Sequence, residues 1–173
     1  MKTRIFFLFA IVLVAFTACN LDGSSNYTPD IMYSCTTQNK HDTLYSHLTD
    51  ESGVYRLDTV HVGDTLMFKT FVTGYSNNLV SFFLTNNMPD SVSQVLLTGT
   101  KVAMDSIFLP TSNYAKGEFY IRGTSTGLIF PFKYVVKRHS TDAKLKFVVQ
   151  SDANFKDAIG SNTNSFSLLI PVK

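Results

Sequence analysis

The chain has 173 residues, of which 45% are hydrophobic, 13% aromatic and only 16% charged. The length suits one globular domain with an appendage, and so low a charge fraction excludes disordered and coiled-coil classes. Lys and Arg total 15 against 13 Asp and Glu, and two of the positives, Lys2 and Arg4, stand in the first four residues, so the rest of the chain is electrically balanced and has no basic field to attract nucleic acid.

Residues 1–18 read as an export address. Met1–Arg4 is basic, residues 5–16 (IFFLFAIVLVAF) are apolar without a break, and Thr17 and Ala18 follow. That is the order of a secretory signal. Its 12-residue apolar core is short of the about 20 residues a spanning helix needs. Phe16-Thr17-Ala18-Cys19 resembles the lipobox of bacterial lipoproteins, with Phe16 where Leu is usual. The resemblance implies cleavage before Cys19 and a diacylglycerol on its thiol. Acyl chains contributing about 0.8 kcal/mol per buried methylene then hold the protein to a bilayer. Asn20, not Asp, follows the cysteine, which in that family points to the outer membrane. The expected location is therefore the cell envelope, lipid-anchored to the outer membrane and facing the periplasm or the surface. The expected partner there is the bilayer itself, through acylated Cys19.

Residues 19–30 form the expected tether. Asn20–Asp30 (NLDGSSNYTPD) is polar and rich in turn formers, and a flexible chain of that length reaches about 20 Å on average. With Cys19 lipidated, Cys35 is left without an intramolecular partner, so the fold has no disulfide and rests on its core. Cys35 as a nucleophile needs His41 or His47 brought to it; a buried structural thiol needs nothing more.

From residue 31 to 173 the pattern is that of a single domain of short alternating strands. Leu66, Phe68, Thr70 and Val72 share one face of 64–72, and Phe119 and Ile121 share one face of 117–122. Leu128, Phe130, Phe132, Tyr134 and Val136 line up in 128–137, Leu145, Phe147 and Val149 in 143–150, and Phe166, Leu168, Ile170 and Val172 at the C-terminus. Period-two alternation is what a sheet with one buried face requires. Adding 54–62 and 79–85 gives about seven or eight strands separated by turn residues, hence an all-β sandwich or barrel. The predicted inward set is Phe68, Phe119, Ile121, Phe130, Phe132, Phe147, Val149, Leu168 and Ile170, with Lys69, Arg122, Lys133, Lys146 and Ser167 outward. Pro131 and Pro171 cannot donate to a ladder, which predicts an open edge near each. One or two short helical turns are expected. Residues 151–160 carry a cap residue at the start, Gly160 at the end and an i,i+4 pair in Phe155 and Ile159. Pro89–Leu96 reads equally as a first helical turn or as a loop entering a strand.

The run Val60-His61-Val62-Gly63-Asp64-Thr65-Leu66-Met67-Phe68 resembles the entry into an early strand of immunoglobulin-like domains of Bacteroidetes-type surface lipoproteins. The stretch from Leu145 to Val172, with its Ser151-Asp152 corner, is similar to the last two strands of such a domain. The resemblance covers residues 50–173 and departs from antibody-type domains in having no Trp and no cysteine pair. It implies an immunoglobulin-like β-sandwich and a surface context, and no activity.

His41 and His47 share a polar stretch with Asp42 and Asp50, but their spacing matches no closed zinc set, and solvated loop histidines explain them. His61 reads as a surface residue at a strand end. Asp152, Asn154, Asp157, Asn162 and Asn164 make an oxygen-rich corner without the acidic order of a calcium loop; helix capping and turns account for them. Tyr27, Tyr33, Tyr45, Tyr55 and Tyr75 fall in or near expected loops as amphipathic surface residues. No nucleophile elbow, phosphate loop or opposed carboxylate pair stands out. The expectation is a monomeric, non-catalytic binding or adhesion module for a protein or glycan, with no cofactor, no catalytic or metal residues, and ligand-binding residues not identifiable from sequence. The alternatives are a zinc- or calcium-dependent accessory domain or hydrolase, and a fimbrial-type subunit.

Overall fold

In a computed structural model, residues 26–49, 54–155 and 160–173 are described. The predicted signal segment, Cys19 and most of the tether lie outside them. The alternating runs become strands whose apolar faces turn to a common interior. In chain order they are β1 (Asp30–Thr37), β2 (Thr43–Leu44), β3 (Ser46–Thr49), β4 (Val54–Leu57), β5 (Thr65–Thr73), β6 (Leu79–Asn86), β7 (Ser93–Leu97), β8 (Glu118–Tyr120), β9 (Gly127–Val136), β10 (Lys144–Ser151) and β11 (Thr163–Leu169). One helix, α1 (Lys101–Ile107), and a 3-10 turn (Tyr114–Lys116) lie between β7 and β8.

The strands form two sheets, ordered β2-β1-β5-β9-β7 and β3-β4-β11-β10-β6-β8. The all-β sandwich expectation holds. The pairs are antiparallel except β4 with β11, which run parallel over Val54–Arg56 and Ser167–Leu169. Eleven strands are described, more than the seven or eight expected: β1 and the very short β2 and β3 lie outside the long alternations, and the segment from Pro89 does lead into a strand, β7. The expected strand over 54–62 stops at Leu57 and resumes only as a bridge from Val60 to Val172.

The core follows the alternation. Every residue of the predicted inward set is buried, and Leu66, Phe82, Phe119, Phe132, Phe147, Val149, Leu168 and Ile170 are wholly so. Lys69, Arg122 and Lys146 are exposed, and Lys133 and Ser167 are half-buried. The filling is mainly aromatic. Phe68 stacks on Phe132 with centroids 4.8 Å apart and Phe147 on Phe166 at 4.7 Å, while Phe119 and Phe130 meet at 4.6 Å. At Gly117, φ is +69° and an added Cβ would fall on the Leu84 carbonyl; only glycine lets β8 approach β6 there.

Two local expectations are corrected and one open choice is resolved. Ser151 ends β10, and Asp152–Phe155 is irregular, so the helix predicted over 151–160 is absent where the chain is described; residues 156–159 lie outside. The Asp152 carboxylate instead accepts from the Asn78 backbone N–H at 2.7 Å and from its Nδ2 at 2.9 Å, a tertiary pairing that outbids a local cap. Pro89–Val92 is a turn leading into β7. Pro171 is buried rather than at an open edge: its carbonyl accepts from the Val60 N–H at 3.0 Å, and Val172 donates to the Ser140 carbonyl at 2.9 Å. Pro131 behaves as expected, since β7 pairs with β9 only over Phe132–Val136. The true helix, α1, is short. Thr100 caps it by accepting from the Ala103 N–H at 3.3 Å, Met104 is its one buried residue, and Phe108 leaves it in extended conformation.

Candidate functional site

A broad concavity lies on the side of the sandwich where β1 and β2 face β3, β4 and β11. It has a volume of about 690 Å³. Its origin is the early crossover of the chain. After pairing only Cys35 and Thr36 with Leu44 and Thr43, β2 ends, and the chain passes through Tyr45 to β3 in the other sheet. Asp58 holds the crossover: its carboxylate accepts from the Tyr45 N–H at 2.8 Å, and its own N–H donates to the Tyr45 carbonyl at 2.9 Å.

Two strands are thereby left partly uncovered on this side. β1 pairs with β5 along its whole length but with β2 only at Cys35 and Thr36. Thr37 bonds toward the β2 side through Asp42, and Gln38 toward β5 through Thr65. Alternation along an antiparallel strand then turns the backbone groups of Tyr33 and Ile31 outward. The Ile31 N–H is met by the Asp30 carboxylate at 2.8 Å. Likewise β4 covers β11 only at Ser167–Leu169, leaving Thr163–Phe166 without a strand partner on that flank among the described residues.

Aromatic side chains floor the groove. Tyr33 lies between the sheets, parallel to Phe166 at 5.6 Å and to Phe147 at 6.1 Å, and its hydroxyl donates to Ser46 Oγ at 2.6 Å. Burial raises the Tyr33 phenol above its ordinary value, partly offset by that bond. Tyr55 meets Phe166 edge-on at 5.6 Å. Tyr45 and Leu48 on the rim are 65% and 59% exposed. The lining is thus apolar below and carries backbone polar groups, Ser46, Thr43 and Asn164 at its walls. A second groove, about 600 Å³, runs along the opposite side between β7 and β6–β8 and is mixed in charge, with Asp90, Lys116 and Glu118.

The residues singled out in the sequence fall as follows. Cys35 is buried in β1 without a disulfide, and burial pushes its thiol up to about 12; it is a packed thiol, not a nucleophile. His41 occupies the β1–β2 turn with φ +56°, and Asp42 continues that turn. His47 lies on β3, with Nε2 4.0 Å from an Asp58 carboxylate oxygen and both side chains largely exposed. His61 stands 3.9 Å from Asp64 in the turn before β5, and His139 is exposed. Among the described residues, no three His, Cys, Asp or Glu side chains converge as a metal set. Asp50 and Asp157 lie outside the described residues, as does Cys19. The oxygens of the 152–164 corner serve the fold: Asp152 binds Asn78, the Asn154 backbone binds the Asn26 side chain, and the Asn162 carbonyl accepts from Ser151 at 2.9 Å. Asn164 alone reaches the groove. Of the five tyrosines, Tyr33 in β1 and Tyr55 in β4 are strand residues rather than loop ones; for Tyr33 the period-two run Ile31, Tyr33, Cys35 was the signal.

No family model matches this sequence, and no curated protein does. Among solved structures, the chain is similar to a DUF4466 family protein from Parabacteroides merdae ATCC 43184, at 12% identity and a TM-score of 0.35, with 82% of this chain and 44% of that one covered. It is also similar to the CaDoc0917–CaCohA2 complex at pH 5.5, at 15% identity and a TM-score of 0.33, over 66% of this chain and 96% of that one. The chain spans less than half the length of the Parabacteroides protein. At these TM-scores neither likeness carries an argument about this chain.

Proposed function

We propose that the protein is a lipid-anchored, immunoglobulin-like binding module of the bacterial cell envelope, of the Bacteroidetes surface-lipoprotein type, without catalytic activity. It takes an extended segment of a partner protein into the groove between β1 and β11. The observation that carries this is the open edge of β1, whose Ile31 and Tyr33 backbone groups face a groove floored by aromatic rings. An extended peptide added to such an edge gains main-chain hydrogen bonds, while alternate side chains find apolar pockets. The signal segment and the lipobox-like Phe16–Cys19 support the envelope location. The packed Cys35 and the scattered histidines support a non-catalytic role.

A glycan ligand is the second reading, favoured by the exposed rings of Tyr45 and Tyr55 beside Ser46 and Asn164. Panning the purified protein against a random peptide library and a glycan array separates the two. The first reading predicts peptide binders whose affinity falls at least about tenfold in Tyr45→Ala, the loss of a single aromatic anchor. Glycan binding with the same dependence on Tyr45 would replace it. Binding of either class that ignores Tyr45 and Tyr55 would remove the groove from the account.

A further inference from the structure

On the flank opposite the β1–β11 groove, α1 and the 3-10 turn connect β7 to β8. The chain from Ile107 to Ser112 runs there against Tyr120–Arg122. The Leu109 N–H donates to the Tyr120 carbonyl at 2.7 Å, the Arg122 N–H donates to the Ile107 carbonyl at 2.8 Å, and Ser112 Oγ accepts from the Tyr120 N–H at 2.9 Å. These bonds fix the floor of a concavity of about 370 Å³, a size that suits a small molecule.

Polar side chains converge on it from α1, from the 3-10 turn and from the end of β8. One Asp105 carboxylate oxygen accepts from Lys101 Nζ at 3.0 Å, and the other accepts from the Tyr114 hydroxyl at 2.9 Å. Tyr114 is held in place, since its ring lies 6.0 Å from that of Phe119 and 6.3 Å from that of Phe108, both buried. The Lys101 hydrogen bond, then that of Tyr114, hold the Asp105 carboxyl below its ordinary value, and the Arg122 charge adds to them. Desolvation, then the bond to Asp105, raise the Tyr114 phenol. Perturbed groups gathered in one concavity are a feature of binding sites.

Arg122 is the group left unspent. A guanidinium has five N–H donors, and here Nη2 donates at 3.4 Å to the Phe108 carbonyl. None of the ion pairs among the described residues includes it. With Lys101 and Arg122 against Asp105, the concavity carries one net positive charge. A carboxylate balances that charge, whereas a phosphate monoester at about −1.5 to −2 overshoots it. The remaining lining asks for more than charge. The Asp105 carboxylate and the Tyr114 oxygen have lone pairs left for hydroxyl donors. Leu109, 38% exposed, and the exposed Pro110 offer an apolar patch to the carbon face of a ring.

We infer that this concavity binds a small hydroxycarboxylate, the size of one sugar acid, with its carboxylate on Arg122 and its hydroxyls toward Asp105 and Tyr114. A guanidinium fork meets a carboxylate with two parallel hydrogen bonds. The site shares no lining residue with the groove proposed for a peptide and does not rest on that reading.

The probe is D-galacturonate, titrated into the full-length, isotope-labelled protein in a neutral detergent and followed by NMR. Saturable shifts are expected at the Arg122 Nε–H and at the amides of 105–109 and 120–122. D-galactose, which lacks the carboxylate, should give none. Arg122→Gln should weaken the binding at least about tenfold, the loss of a charge-assisted pair, with the urea midpoint unchanged. Arg122→Lys, which keeps the charge and loses the fork, should fall between the two. Absence of a saturable shift, or equal binding in Arg122→Gln, overturns the site. Acetate or inorganic phosphate bound as well as galacturonate means a general attraction for anions and overturns the ligand class. Loss of binding in Tyr45→Ala, with Arg122→Gln unaffected, moves the sugar acid to the β1 groove and overturns the assignment.

Discussion

Cys35 shows how one buried atom sets a response to pH. Its thiol, pushed up to about 12 by burial from an ordinary value of 9.0, keeps its proton in the fold over a range where the unfolded chain releases it. Its contribution is therefore complete below about pH 9 and is lost as pH rises toward 12, at about 1.4 kcal/mol per pH unit. Tyr33 and Tyr134, both raised by burial, act in the same direction above their ordinary values. Urea midpoints taken from neutrality to about pH 11 should fall with that slope, and Cys35→Ala should flatten it by one proton's worth. In native protein at neutral pH the thiol should resist a thiol reagent that labels it at once in urea. Thr70 offers a test of the opposite sign. It is wholly buried on the inner face of β5, and its hydroxyl has no hydrogen-bond partner among the described residues. Thr70→Val keeps the shape and removes the stranded polar atom, so it should stabilise by about 1 kcal/mol in equilibrium unfolding.

At the scale of elements, what could be read from the sequence was what alternates over a long run. β5, β9 and β10 each carry four or five inward residues in strict period two, and a one-residue slip would send all of them to solvent. Phe147→Ala, which empties the middle of the Phe132–Phe147–Phe166 column, should cost about 3–5 kcal/mol. Its neighbour Lys146→Ala, on the outer face of the same strand, should cost less than about 0.5 kcal/mol. Equal urea midpoints for the two would mean that the register of β10 is wrong. Elements set by tertiary partners were not legible. At Asp152 the cap pattern was present but Asn78 took the carboxylate. At α1 the Thr100 cap and the Lys101–Asp105 pair at 3.0 Å were too few signals in seven residues. In β2 and β3, pairing rather than pattern makes the strand. Val80 is a similar case: β10 skips it at the irregularity between Gln150 and Ser151, which leaves it 40% exposed within an otherwise core-facing run.

The whole molecule combines a legible address with an illegible site. The address is linear chemistry: a basic start, an apolar core and a cysteine at a fixed place need no fold to be read. The groove depends on where β2 stops and on which sheet Tyr45 enters, decisions that involve Asp58 thirteen residues away. No local pattern carries that information, so Tyr33, Tyr45 and Tyr55 looked like ordinary surface tyrosines until the two sheets brought them together. The two halves of the account meet at the anchor. In the proposed reading, a binding module anchored through Cys19 would present the groove close to a membrane. The measurement that bears most directly on this is the intact mass of the mature protein from the membrane fraction. The account predicts a chain that begins at Cys19 and carries diacylglycerol, lost from membranes or left unprocessed in Cys19→Ser. A soluble mature chain with an unmodified Cys19 would contradict it.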